Sequence, residues 1–166
     1  MSIRVPLYKS KVKYVGLFGF KDFYEFCYNW IMSDIEPKDF DEKAYSEKVV
    51  GDGKNLDIDW EVEKELGAYF KYNVKLHFKT IMMKQVEVEK NGKRVKSNDG
   101  EISVEAKVTL VHDRQNKFES GIWKTWRTIY EKWIIAERID QFEAKAIGDV
   151  DTFLSQAKAF LDLEGK

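Results

Sequence analysis

From Tyr8 to Val15 the chain alternates, with Tyr8, Ser10, Val12 and Tyr14 on one face and Lys9, Lys11 and Lys13 on the other. That period predicts a half-buried strand. Gly16 and Gly19 bracket a short turn, and Asp22 with Glu25 three residues on forms a capping box for a helix. Phe23, Phe26, Cys27, Trp30 and Ile31 then fall on one helical face. Residues 34–42 read as a polar connection around Pro37. With Asp52-Gly53 as a tight turn, Lys48 is expected opposite Asp57.

The middle of the chain carries the clearest pattern. Leu56, Ile58, Trp60 and Val62 alternate with Asp57, Asp59, Glu61 and Glu63. After a turn at Leu66-Gly67, Phe70, Tyr72, Val74, Leu76 and Phe78 alternate with Lys71, Asn73, Lys75, His77 and Lys79. Folding this hairpin sets an acidic face beside a basic one, worth roughly 0.2–1 kcal/mol per opposed pair. A slip of one residue would carry the charges into the core, so the register is well specified. Asn91-Gly92 predicts a type I′ hairpin with Glu89 facing Arg94, Val88 facing Val95 and Glu87 facing Lys96. Asp99-Gly100 reads as another turn, followed by alternation from Ile102 to Leu110. Together these segments form an antiparallel meander with one apolar and one solvated face.

The last third reads as helix, with Ser120 as N-cap and a stripe of Ile122, Trp126, Ile129, Trp133 and Ala136. Trp123, Tyr130, Ile134 and Ile135 widen that stripe beyond one face. Gly148-Asp149 predicts a break before a second helix, which buries Val150, Phe153, Leu154, Ala157, Phe160 and Leu161 and ends at Gly165. One long kinked helix is the alternative.

The fold class expected is α+β, a single domain over residues 1–166 in which helices cover an antiparallel meander sheet of about six strands. The order strand, helix, meander, long C-terminal helical segment resembles the helix-grip fold of START and Bet v 1-like proteins. The resemblance implies a curved sheet around the C-terminal helix and an apolar cavity between them. The chain departs from that pattern in having one clear helix after the first strand, where the fold usually has two, and a longer C-terminal segment. The stretches DIDWEVEKELGAYFKYNVKLHF, VEVEKNGKRVKSNDGE and KAFLDLEGK resemble a family of small archaeal proteins with no attached activity. That resemblance implies a cytoplasmic, archaeal-type setting.

Composition narrows the function classes. The formal charge of −1 gives no global attraction to nucleic acid or anionic membrane. Lys9, Lys11 and Lys13, and the tip Lys90, Lys93, Arg94 and Lys96, are the basic candidates, but Tyr8 and Tyr14 point away from the first three. One cysteine excludes an intramolecular disulfide, and with no signal-like apolar run a cytoplasmic location is expected. His77, His112 and Cys27 match no metal-ligand spacing, so no metal or cofactor is expected. Cys27, on an apolar helix face, reads as inert packing, and no serine has a nucleophile elbow. No catalytic residue is assigned. Glu47 points inward in the Asp52-Gly53 register, opposite Ile58 and near Tyr45 and Trp60. It needs a partner there, or it sits partly wet at a sheet edge and discourages aggregation.

Two functions remain. One is a non-catalytic assembly or interaction domain, a homo-oligomer formed through the C-terminal helices with Trp123, Tyr130, Ile134 and Ile135 at the interface. The other is a binder of an apolar small molecule or lipid between sheet and helix, lined by Trp60, Tyr72, Phe78 and Trp126, with Glu47 nearby. Five tryptophans in 166 residues motivate both, since large rings need a bulky core or a contact surface.

Overall fold

The computed structural model describes residues 2–113, 115 and 121–164. Among them, strands β1 (Ile3–Phe18), β2 (Asp39–Val50), β3 (Gly53–Glu65), β4 (Phe70–Lys90) and β5 (Lys93–His112) form one antiparallel sheet ordered β1-β5-β4-β3-β2. Helices α1 (Phe20–Trp30), α2 (Ile122–Ile129) and α3 (Ala136–Glu164) complete the α+β fold. A π-helical turn extends α1 over Ile31–Ile35, and another extends α2 over Tyr130–Ile134. The expected cap Ser120 and the closing Gly165 lie outside the described residues.

Hydrophobic periodicity and charge pairing set the central register. Asp57 faces Lys79, Asp59 faces His77, Glu61 faces Lys75 and Glu65 faces Lys71, as the alternation predicts. Val88 pairs with Val95 and Glu89 with Arg94 around Asn91, whose φ of 52° suits a type I′ turn. The outer face is a set of alternating acidic and basic strands. Lys71 lies 2.8 Å from Glu63, Lys13 3.2 Å from Glu101 and Lys9 3.6 Å from Glu105. Lys9 and Lys13 therefore neutralise their own sheet.

The glycines account for most of the differences from the sequence reading. Val50 pairs with Gly53, so the β2–β3 loop is Gly51-Asp52, and Lys48 faces Asn55 rather than Asp57. Gly53 has another task. A Cβ there would lie 3.0 Å from the backbone of Met82, where β4 bulges with φ 51°. On the opposite neighbour of β4, Gly100 has φ 156° and would place a Cβ 2.9 Å from Met83 Cα. Asp99-Gly100 is thus no turn. The two glycines clear the bulge on both sides, so β4 and β5 run unbroken and the sheet has fewer, longer strands than the expected six. Gly16 likewise lies within β1, and Gly19 caps α1 without a side-chain bond, displacing Asp22 into the first turn. The connection before β2 is shorter than 34–42, because pairing with β3 begins at Asp39.

The inner face packs on α1 and α3. Phe18, Phe23, Cys27, Trp60, Tyr72, Phe78, Ile102 and Phe153 are among the residues of this core. The expected break at Gly148 does not occur, and α3 passes through it. Burial of Ala146, Val150 and Phe153 on the same helix outweighs the roughly 1 kcal/mol penalty of a helical glycine. The Tyr72 hydroxyl also donates to Asp149 at 2.8 Å, tying this turn to the sheet. The C-terminal helical segment breaks instead at Ile135, where φ is −120° and ψ 10°.

Gly148 is exposed, and a Cβ added to it meets nothing within 4 Å. Gly148→Ala is expected to stabilise the protein by about 0.5–1 kcal/mol. An upward shift of the urea midpoint at constant slope checks this, and an unchanged or lower midpoint contradicts it.

Candidate interaction surface

The segment from α2 through its π turn is an amphipathic helix mounted in reverse. Such helices ordinarily turn the apolar stripe toward the core. Here α2 buries none of its residues. Trp126 is 55% exposed and Trp133 73%, and Ile122, Trp123, Ile129 and Ile134 are also exposed.

Polar groups hold the other side of the helix to the body. The Glu131 carboxylate accepts a hydrogen bond from the Tyr69 hydroxyl at 2.6 Å. The same oxygen lies 3.2 Å from Nδ1 of the buried His112. Arg127 reaches within 3.9 Å of the fully buried Asp113, whose φ is 51°. The rings of Tyr69 and Tyr130 meet edge to face at 5.7 Å, and the Phe70 ring meets His112 at 5.2 Å. Burial, reinforced by the bond to Glu131, pushes the Tyr69 phenol well above its ordinary range. Ile135, 4% exposed, anchors the far end in the core and accepts the first backbone bond of α3 from Ile139 at 2.9 Å. Fixing the helix by Arg127, Glu131 and Ile135 leaves Trp126 and Trp133 on the outward side.

The residues singled out from the sequence separate into three groups. Trp60, Tyr72 and Phe78 are core. The Trp60 ring meets Phe78 at 4.6 Å, Tyr24 at 4.9 Å and Phe40 at 5.0 Å, and Phe78 also meets Phe23 at 6.4 Å. Trp126 does not share that space and lies on the outward face of α2. The helix carrying it does not cover the sheet, because α3 does. Of the interface candidates, Trp123 and Ile134 are exposed, Tyr130 is half-buried against Tyr69, and Ile135 belongs to the core.

Glu47 faces Leu56 at the open edge and pairs with Lys54 at 3.2 Å, so it needs no buried partner. The carboxylate that reaches the core rings is Glu42, itself exposed on the edge strand. A bulge between Glu42 and Ala44 reverses the alternation and sets Glu42 opposite Trp60. Glu42 accepts from the Trp60 indole at 3.0 Å and from the Tyr24 hydroxyl. Burial and this bond push the Tyr24 phenol up to about 12. Nothing in the residue order marks the bulge, so alternation alone assigns Glu42 to the wrong face. The Tyr69, His112 and Glu131 group was equally hidden, since it joins three distant segments.

Cys27 is fully buried, and burial pushes its thiol far up, which makes it a poor nucleophile. Among the described residues, no helix is long and apolar enough to cross a membrane. No family model matches the chain, and no curated protein matches it.

Proposed function

We propose that this chain is a non-catalytic assembly domain that associates with itself through α2 and its π turn. The observation that carries the reading is the reversed mounting of α2, with Arg127 and Glu131 turned to the body while Trp126, Ile129 and Trp133 face out. A contiguous apolar patch on a helix costs solubility unless something covers it. Tryptophan is also the side chain most enriched at the energetic centres of protein interfaces. The inward rings Trp60, Tyr72 and Phe78 are already packed against protein groups, which favours assembly over an apolar ligand between sheet and helix.

Light scattering and sedimentation over a wide concentration range test the reading. The native chain is expected to associate. Trp126→Glu is expected to weaken association by at least about tenfold, a loss of 1.4 kcal/mol or more. Because Trp126 lies outside the core, the circular dichroism spectrum should be unchanged. A native chain that stays monomeric at every concentration overturns the proposal.

A further inference from the structure

We infer that the cleft between α1 and the edge strand β2 binds a small zwitterion, a quaternary ammonium joined to an anionic group, with the ammonium at Glu42 and the anion at Lys21. The cleft uses no residue of α2, so the inference stands apart from self-association.

Local geometry builds the cleft. Phe20, Lys21 and Tyr24 share one side of α1, at helical spacings of three and four residues. On β2, strict alternation would put Glu42 and Tyr45 on opposite faces. The bulge between Glu42 and Ala44 takes up one residue, so Glu42 faces Trp60 and Tyr45 faces Ile58, both core residues. The five side chains line an open cleft of about 280 Å³. That is just below the roughly 300–1,000 Å³ of sites for drug-sized ligands, so the ligand is small.

The lining sets the class of ligand. Phe20, Tyr24 and Tyr45 bring three aromatic rings to one carboxylate. Aromatic faces attract organic cations, and rings grouped around a quaternary ammonium are the characteristic case. Glu42 is held in place, since the Trp60 indole at 3.0 Å and the Tyr24 hydroxyl both donate to its Oε2. Both bonds fall on one oxygen, which leaves Oε1 to a ligand. Lys21 lines the same cleft, yet among the described residues neither it nor Glu42 takes an ion pair. A lone cation would be repelled by Lys21, and a lone anion by Glu42. A molecule carrying both charges bridges the two. The other charges of these segments are turned elsewhere. Asp22 and Glu25 do not line the cleft, Lys43 in the bulge pairs with Asp41 at 2.5 Å, and Glu47 pairs with Lys54 at 3.2 Å.

Magnetic resonance of the isotope-labelled full chain, titrated with glycine betaine, tests the inference. The reporter is the Trp60 indole N–H, identified by its absence in Trp60→Phe. It is expected to shift saturably while the indole signals of Trp123, Trp126 and Trp133 stay in place. The carbon isostere tert-butylacetate keeps the shape and the carboxylate but lacks the ammonium charge, and is expected to bind at least about tenfold more weakly. Choline, which lacks the anionic group, is expected to bind about threefold or more weakly than glycine betaine. Phosphocholine reads whether the anionic end is a phosphate or a carboxylate, and saturation by either supports the site. Glu42→Gln, whose amide oxygen still accepts from the indole, is expected to weaken betaine binding at least about tenfold. Lys21→Ala is expected to erase the advantage of betaine over choline. No saturable shift with either zwitterion overturns the inference. So does equal binding of tert-butylacetate, undiminished binding by Glu42→Gln, or an unchanged preference for betaine in Lys21→Ala.

Discussion

Trp60→Ala is expected to destabilise the fold by about 3–5 kcal/mol, toward the upper end for a large-to-small change. Trp60 is 1% exposed and sits where β3 meets α1 and the edge strand β2. Its ring contacts Tyr24, Tyr28, Phe40 and Phe78. Four aromatic rings cannot collapse into the space without leaving their rotamers, so most of the cavity would persist. The change also removes one of the two donors to the Glu42 carboxylate, which is exposed and can take water in place of the indole. Trp60→Phe separates the two effects. It keeps most of the packing but loses the indole donor, and is expected to cost about 1–2 kcal/mol. Urea unfolding followed by circular dichroism measures both. A loss under about 1 kcal/mol for Trp60→Ala would mean that the ring cluster does not hold α1 to the sheet.

Stability is expected to fall above about pH 10, in the range where free tyrosines, like lysines, titrate. Tyr24, Tyr69 and Tyr72 all have raised pKa values, in each case from burial first and a hydrogen bond to a carboxylate second. The partners are Glu42, Glu131 and Asp149. In the folded chain the phenols keep their protons. In the unfolded chain they ionise near the model value of 10.0. Below that value both states hold the proton and the stabilisation is fully present. Above it the unfolded state alone gains by ionising, so stability falls as pH rises, for Tyr24 until about 12. The urea midpoint should therefore drop steeply between about pH 9.5 and 11.5. Tyr72→Phe should flatten part of that drop, at a cost of about 1 kcal/mol near neutrality. A midpoint level across the whole range would show that these hydroxyls are not held as described.

How much of this protein was legible in its sequence differs by element. The β3–β4 pairing was readable because one face is greasy and the other alternates acid against base, so periodicity and charge both demand Asp59 beside His77. The Asn91-Gly92 hairpin was readable because its turn residues specify one geometry. The glycines were not. Asp-Gly and Gly-Asp carry the same local turn signal, and the Met82–Met83 bulge that needs Gly53 and Gly100 lies far from both along the chain. The continuity of α3 through Gly148 was hidden for the same reason, since the burial that overrides a glycine comes from the sheet.

The residue order alone determined an α+β fold, the inward and outward faces of its central strands, and a C-terminal helical stripe of unusual width. These are local matters of period and pairing, and every residue carries its share of the signal. Only the tertiary structure decided that Trp60 is core and Trp126 surface, though both lie on apolar stripes. That division depends on where Tyr69, His112 and Asp113 wait for Glu131 and Arg127. A helix has two faces, and which of them meets the body depends on groups supplied by distant segments, which no periodicity records.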